Sequence, residues 1–294
     1  MNQPTCAQAL AAAQTLGLER LDAQLLLLHA LGKPGDARAW LLAHDTDELT
    51  EEVALHFRAL SLRRAGGEPL AYIVGNKEFF GLELQVDARV LVPRPDTETL
   101  VQWALEVLQT PDIPSKPQIL DLGTGSGAVA LALKHARPAL QVSAVDFSAD
   151  ALAVAQANAQ ALKLDVQFSH GSWLGNVNGQ YHAIVSNPPY IAARDPHLAA
   201  LTHEPLQALA SGQDGLDDIR QIISQAPAHL HPGGWLLLEH GYDQAAPVRE
   251  LLRSAGFDEV QSRRDLSGIE RCSGGQWPAK AGQDKQRDNL VVEF

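Results

Sequence analysis

The chain has 294 residues, and its 23 basic and 35 acidic side chains give a formal net charge of −12. An apolar content of 45% is enough to bury a core in one large domain or two smaller ones. A mixed composition with 20% charged residues excludes a disordered chain. The acidic charge argues against direct binding of nucleic acid, which needs clustered Lys and Arg side chains.

Cysteine content and apolar runs indicate the compartment. Cys6 and Cys272 are the only cysteines and lie far apart in sequence, so we expect no disulfide framework and a reducing, cytoplasmic environment. No apolar run approaches the ~18 residues of a membrane span, and the first residues lack the pattern of a signal peptide. The cysteines and histidines show no zinc-site spacing, so we expect no metal.

The first third of the chain changes pattern once. Apolar residues recur every three or four positions from residue 3 to about 65, which predicts a small helical domain over residues 1–68. Residues 70–92 alternate instead, which predicts a linking β-hairpin over residues 69–93 with Gly75-Asn76 and Gly81 as turn residues.

From residue 94 onward, short apolar strands alternate with helices. Such alternation predicts a doubly wound α/β sheet with parallel strands and right-handed crossovers. The last two strands have no helix between them, only the polar stretch 267–289, so we expect them to be antiparallel. The expected strands are residues 118–122, 141–147, 166–169, 182–186, 235–239, 259–263 and 290–294, and the expected helices are residues 128–136, 149–162, 216–230 and 244–255.

A glycine-rich turn, Asp121-Leu-Gly-Thr-Gly-Ser-Gly127, follows the first strand of this sheet and opens a helix. Glycines there let the backbone approach a ligand at the helix N-terminus. The segment Gly125-x-Gly127-x-x-Ala130 also matches the dinucleotide fingerprint, so the loop alone leaves a nicotinamide cofactor and S-adenosylmethionine open. Asp121 favours the second, because a carboxylate beside the ligand suits a cationic sulfonium and repels a pyrophosphate. A tight turn without a ligand is the third alternative.

Asp146 ends the second strand, where its carboxylate is placed to accept both hydroxyl groups of a ribose. The alternative role is an N-cap for the following helix. Ser148 is able to provide that cap, so the sequence favours ribose binding.

The segment Asn187-Pro188-Pro189-Tyr190 leaves the fourth strand. Two prolines remove two N–H donors and stiffen the chain, which leaves the Asn187 side-chain oxygen and the Pro188 carbonyl as acceptors. Two such acceptors bind both N–H groups of an amide or exocyclic amine and turn the nitrogen lone pair toward an incoming methyl group. Tyr190 offers an aromatic face to the planar group. Asn-Pro and Pro-Pro also form ordinary turns, and the position after a sheet strand favours the functional interpretation.

Together these motifs resemble a class I S-adenosylmethionine-dependent methyltransferase that acts on nitrogen. Three upstream segments narrow the resemblance to the HemK/PrmC family of protein-(glutamine-N5) methyltransferases. These segments are Gly67-Glu-Pro-Leu-Ala-Tyr-Ile73, Glu78-Phe-Phe-Gly-Leu82 and Pro93-Arg-Pro-Asp-Thr-Glu98. The resemblance extends from the helical domain to about Arg271, and the family's usual close is shorter and less polar than residues 272–287.

The resemblance implies a seven-stranded methyltransferase domain over residues 94–294. All the chemical motifs lie after residue 93 and a folded protein substrate needs a further docking surface, so we expect the helical domain to dock the substrate. It implies methyl transfer from S-adenosyl-L-methionine to N5 of the glutamine in the Gly-Gly-Gln motif of peptide chain release factors, which modulates translation termination. We expect a cytoplasmic monomer with no direct nucleic acid or membrane partner. The implied cofactor residues are Gly123, Thr124, Gly125, Ser126, Gly127, Asp146, Trp173 and Asn187, and the implied catalytic and glutamine-binding residues are Asn187, Pro188, Pro189 and Tyr190.

Several residues keep two interpretations. Trp173 matches a family position beside the adenine, and a loop hydrophobe is equally expected on local sequence. Arg94 and Glu98 either border the cleft or are structural, with Asp96 or Thr97 as a helix N-cap. Glu204 either borders the glutamine or is a solvated loop carboxylate.

Two other functions compete with glutamine methylation. An adenine-N6 methyltransferase uses the same acceptors but needs a basic cleft, and a non-enzymatic adaptor predicts a damaged acceptor motif. The sequence Gly274-Gly275-Gln276 repeats the expected substrate motif within the chain itself. We interpret it as chance turn chemistry in a polar loop.

Overall fold

A computed structural model describes residues 3–110 and 113–279. The chain divides into two compact units. The first, here called the helical unit, runs to Lys77 and includes Val86–Ala88, and the second, the sheet unit, comprises Glu78–Gln85 and the residues from Arg89 onward. Among the described residues, none of the helices is long and apolar enough to cross a membrane.

The helical unit confirms the helices predicted before residue 65. Thr5 and Gln8 form a capping box on the first helix, and Thr50 caps the fourth by accepting a hydrogen bond from Val53 N. The helices bury their own core, in which Leu26, Leu27 and Leu28 are fully buried. The helices are α1 (Cys6–Thr15), α2 (Arg20–Ala30), α3 (Arg38–Ala43), α4 (Glu51–Ala65) and α5 (Leu70–Val74).

The alternating stretch after residue 70 differs from the prediction at its start. It begins with α5, and Gly75 ends that helix in the left-handed conformation instead of forming a hairpin turn with Asn76. The hairpin follows as β1 (Asn76–Phe79) and β2 (Leu82–Gln85). Its turn residues Phe80 and Gly81 have φ values of 50° and 77°, the sign that tight two-residue hairpin turns require.

The sheet unit contains a seven-stranded sheet in the order β5-β4-β3-β6-β7-β9-β8. The first four pairings in that order are parallel, and β9 is antiparallel to both β7 and β8. This topology confirms the doubly wound fold with its antiparallel last pair. The strands are β3 (Gln118–Leu122), β4 (Gln141–Asp146), β5 (Gln167–His170), β6 (Tyr181–Ser186), β7 (Leu230–Glu239), β8 (Asp258–Arg264) and β9 (Glu270–Gln276).

Helices cover both faces of the sheet. Successive strand residues point to opposite faces, so each face has its own apolar core. Ile119, Val185 and Leu237 belong to one core, together with α6 and α7. Leu120, Ile184 and Leu236 are each one residue before or after these in sequence, and they belong to the other core with α9 and α10. The helices of this unit are α6 (Glu98–Val107), α7 (Ala128–Ala136), α8 (Ala149–Leu162), α9 (Asp217–Gln225) and α10 (Ala245–Ser254).

The last strand differs from the prediction. The expected strand at residues 290–294 lies outside the described residues, and β9 lies within the stretch that we expected to be a polar loop. Small residues explain why this strand was not predicted. A Cβ added at Gly274 would lie 2.6 Å from both the Leu236 carbonyl oxygen and the Leu237 side chain. These glycines let β9 pack tightly in the sheet and remove the alternation of large apolar residues that predicts a strand.

The topology places a crevice beside β3. From β3 the chain moves outward to β4 and β5, then crosses back to β6 on the other side of β3. The loops after β3 and β6 therefore diverge at the carboxyl edge of the sheet, where doubly wound folds bind ligands.

Candidate active site

Two adjoining cavities open at this carboxyl edge. The larger has a volume of about 310 Å³ and the smaller about 90 Å³. The larger cavity contains six of the residues proposed from sequence: Gly123, Gly125, Asp146, Trp173, Asn187 and Pro189. Pro188 and Tyr190 line the smaller cavity, and Asn187, Leu91 and Ala208 line both. The glycine loop and the Asn-Pro-Pro-Tyr segment thus both line the larger cavity, and Asn187 also lines the smaller one.

The loop between β3 and α7 needs its glycines. Gly123, Gly125 and Gly127 have φ values of 69°, 56° and 84°, a region that other residues rarely adopt. A Cβ at Gly127 would also lie 3.0 Å from Leu131, and one at Gly123 would lie 3.2 Å from the Trp173 ring. Nothing lies within 4 Å of a Cβ built at Gly125, which borders the larger cavity.

Three residues of the loop proposed from sequence line neither cavity. Gly127 is the N-terminal cap position of α7, and Thr124 and Ser126 are buried. The Thr124 hydroxyl donates to Asp121 over 2.7 Å. Asp121 is buried and lines neither cavity, and burial raises its pKa to about 7.

Asp146 is fixed by backbone donors. Its two oxygens accept hydrogen bonds from Gly125 N and Ser148 N, each over 2.8 Å. Burial raises the pKa of this carboxyl, and the two backbone bonds oppose that effect. Ser148 caps α8 by accepting a bond from Ala151 N, as expected. Each carboxylate oxygen keeps a further lone pair, so Asp146 still has room to accept two hydroxyl groups.

Trp173 forms one wall of the larger cavity. Its indole Nε1 donates to Asp218 over 3.0 Å, and its φ of 48° is unusual for a bulky residue. The ring faces Gly123. Sequence reasoning missed Asp218 and Phe147 as lining residues. The position of Phe147 directly after Asp146 was the available sequence signal that it lines the cavity. Asp218 lies in the first turn of α9, and its local sequence gives no such signal.

The Asn-Pro-Pro-Tyr segment is held at both ends. The Asn187 side-chain nitrogen donates to the Thr97 hydroxyl over 3.2 Å, and the Tyr190 carbonyl accepts from Gln244 over 2.9 Å. Burial raises the pKa of the Tyr190 phenol, and the neighbouring Glu239 raises it further. Tyr190 is therefore a neutral phenol at any physiological pH.

The structure decides between the two interpretations of Glu204, Glu98 and Thr97. Glu204 is buried, and it pairs with Arg94 and accepts a bond from Val92 N, so it is not a solvated loop carboxylate. Glu98 accepts a bond from Phe80 N, which is a structural role. Thr97 makes no side-chain capping bond to α6, and its hydroxyl accepts a hydrogen bond from Asn187.

Comparison with protein families matches two segments of the chain. Residues 5–75 match the PrmC N-terminal domain, and residues 101–213 match the Methyltransferase small domain. The second match includes the glycine loop, Asp146 and the Asn-Pro-Pro-Tyr segment.

Individual relatives are similar over most of their length. The release factor glutamine methyltransferase of Bordetella pertussis is 50% identical over 263 residues, which cover 88% of this chain and 95% of that protein. The release factor glutamine methyltransferase of Xylella fastidiosa is 48% identical, with 92% and 98% covered. A solved methyltransferase from Pyrococcus furiosus superposes with a TM-score of 0.50 at 19% identity, over 68% of this chain and 90% of that one, and shares the fold.

Proposed function

The chain belongs to the family of release factor glutamine methyltransferases, and we propose that its two cavities separate the methyl donor from the glutamine that receives the methyl group. The enzyme transfers a methyl group from S-adenosyl-L-methionine to the side-chain amide nitrogen of the glutamine in the Gly-Gly-Gln motif of peptide chain release factors. One observation carries the division of roles: Asn187 lines both cavities. A donor in the larger cavity and an amide in the smaller one would meet at this residue.

The larger cavity fits the cofactor in three respects. Positive φ values bring the loop backbone of Gly123 and Gly125 to the cavity wall without a side chain. Asp146 has lone pairs for two ribose hydroxyl groups, and the aromatic rings of Phe147 and Trp173 suit a planar base. When bound, the cofactor supplies an electrophilic methyl group on a sulfonium.

The smaller cavity is suited to hold an amide. We assign the Asn187 side-chain oxygen and the Pro188 carbonyl as acceptors of the two N–H groups of the glutamine. Accepting both bonds takes the nitrogen lone pair out of conjugation and turns it toward the larger cavity. The Tyr190 ring packs on the plane of the amide. No base has to remove a proton before transfer, because the N–H protons of the amide become acidic only after the nitrogen is methylated.

Labelled S-adenosylmethionine tests this assignment with two forms of recombinant release factor. The wild-type factor should acquire one label, and a factor with Gln→Ala in its Gly-Gly-Gln loop should acquire none. Equal labelling of both forms would contradict the glutamine assignment.

We propose that the enzyme acts as a cytoplasmic monomer. Release factors act during translation, which takes place in the cytoplasm.

The helical unit is proposed to dock the folded release factor. Leu55 and Leu62 lie seven residues apart on α4, which places them on one face, and they are 60% and 53% exposed. Replacing both with aspartate should raise KM for the intact release factor by about tenfold, as expected for loss of apolar anchors in an interface. Steady-state kinetics measures this change.

A short Gly-Gly-Gln peptide provides the control for this variant, because it lacks the folded surface that would dock. The double variant should methylate the peptide with unchanged kcat/KM. An unchanged KM for the intact factor would contradict the docking role.

Gln276 tests whether the internal Gly-Gly-Gln sequence is a substrate. It lies in β9 and pairs with Trp235, four residues before the carboxyl end of β7, so roughly 13 Å of strand separate it from that edge. Its side chain donates to the Gly233 carbonyl over 2.8 Å. Mass spectrometry after incubation with cofactor alone should show no methyl group on Gln276, and Gln276→Ala should keep full turnover. A methylated Gln276 would contradict the prediction.

A further inference from the structure

Glu239 occupies an unusual place at the end of β7. The parallel register pairs Ser186 with Leu238, so the next residues, Asn187 and Glu239, are adjacent across the two strands. Val185 and Leu237 face the α6 side of the sheet, and strand alternation directs Asn187 and Glu239 to that same side. Thr97, which precedes α6, therefore lies close to both.

The Glu239 carboxyl is buried and incompletely paired. It is 1% exposed, and its Oε2 has no hydrogen-bond partner among the described residues. The hydroxyl groups of Thr97 and Tyr190 face the carboxyl, and both favour its charged form. A buried carboxyl with one unpartnered oxygen destabilises a fold, whereas an apolar residue would continue Leu236-Leu237-Leu238 without that penalty. Stability therefore does not explain a glutamate at this position.

Hydrogen-bond direction links Glu239 to Asn187. The Thr97 oxygen accepts from the Asn187 nitrogen, which leaves the single Thr97 hydroxyl hydrogen free to be donated. A charged carboxylate only accepts, so it takes that hydrogen and keeps the Thr97 lone pairs turned toward Asn187. With its nitrogen engaged by Thr97, the Asn187 amide has only its oxygen to present to the cavities.

We propose that Thr97 and Glu239 are positioning residues that fix the orientation of the Asn187 amide, with its nitrogen on Thr97 and its oxygen toward the glutamine site. This inference rests on the proposed function of Asn187 as an acceptor. A flipped amide would offer N–H donors to the substrate N–H groups and would fail to hold them.

Substitutions at Thr97 test the relay with matched shapes. Thr97→Val keeps the size and removes the hydroxyl, and it should lower kcat about tenfold, the effect of one hydrogen bond. Thr97→Ser restores the hydroxyl and should recover most of the wild-type kcat. Calorimetry should give the same cofactor Kd for wild type and both variants. Equal loss in Thr97→Ser and Thr97→Val, or a matching loss of cofactor affinity, would overturn the proposal.

Glu239→Gln tests the direction of the hydrogen bonds. The amide both donates and accepts, so it no longer imposes the orientation, and kcat should again fall about tenfold. Combining Glu239→Gln with Thr97→Val should lower kcat no further than Thr97→Val alone, because the two residues act in series. Additive losses would overturn the proposal. Ser273→Ala is the control for general destabilisation. Ser273 is a buried polar residue of β9, and its hydroxyl belongs to a separate hydrogen-bond network with His240 and Ser262.

The pH dependence of kcat gives a further readout. Thr97, Tyr190, Asp96, Arg271 and Cys272 are the groups that face Glu239, and burial raises its pKa to about 7. Deprotonation above that pKa makes Glu239 an obligate acceptor, so kcat should rise as pH increases through about 7. Asp121 titrates in the same range, so the decisive observation is a loss of amplitude in Glu239→Gln. An identical profile in wild type and variant would overturn the proposal.

Asn187→Ala distinguishes a failure of this positioning role from a failure of the function on which it rests. If Asn187→Ala retains wild-type turnover, the proposed role of Asn187 fails. If Asn187→Ala is inactive while Thr97→Val and Glu239→Gln are fully active, only the positioning role fails.

Discussion

Replacing Asn187 with alanine is expected to lower kcat on release factor by ~10²-fold or more, as observed when one oriented hydrogen-bonding group is removed from a catalytic site. The variant removes the acceptor that lines both cavities but leaves the glycine loop and Asp146 intact. Calorimetry should therefore find a cofactor Kd close to that of the wild type. The two measurements together distinguish an acceptor of the glutamine amide from a cofactor ligand.

A matched control is available nine residues upstream. Asn178 is exposed and lines neither cavity, so Asn178→Ala should keep the wild-type kcat. If Asn187→Ala lost cofactor binding together with turnover, Asn187 would be a structural or cofactor residue.

Replacing Asp146 with alanine should have the opposite effect. Cofactor binding is expected to weaken by ~1.5–3 kcal/mol, the range for hydrogen bonds to a charged group. The variant removes the proposed ribose acceptor and also the bond that holds Gly125 N. Calorimetric titration with S-adenosylmethionine measures the loss, and saturating cofactor should restore most of the turnover.

Asp146→Asn separates the two contributions, because its amide oxygen still accepts from a backbone N–H while the charge is lost. We expect an intermediate loss of affinity. Asp165→Asn provides the control, since Asp165 is exposed between α8 and β5 and lines neither cavity. Unchanged affinity in Asp146→Ala would move the ribose contact elsewhere.

Periodicity predicted most of the sheet unit because large apolar residues mark its elements. β3, α7 and α8 begin and end where the pattern placed them, at Gln118–Leu122, Ala128–Ala136 and Ala149–Leu162. β9 escaped prediction because Ser273, Gly274 and Gly275 carry almost no apolar side chain. Their burial depends on the neighbouring strands, which a local pattern does not report.

The site divides in the same way. The glycine loop and the Asn-Pro-Pro-Tyr segment are contiguous, and their residue types carry the chemistry. Thr97, Glu204 and Glu239 come from three distant parts of the chain, and each has an ordinary local explanation as a cap, a loop carboxylate or a strand end. Only the fold shows that Glu204 is buried against Arg94 and that Glu239 lies beside Asn187.

The position of β9 inside the sheet has a consequence for synthesis on the ribosome. Among the strands of the described residues, β8 pairs with β9 alone, and β9 fills the space between β8 and β7. This part of the sheet is therefore incomplete until residue 276 has left the exit tunnel. A nascent chain that stops before residue 270 leaves the edge of β7 open along Leu236-Leu237-Leu238. An open apolar edge pairs readily with other strands, so prematurely terminated chains of this protein should aggregate instead of accumulating as partly active enzyme.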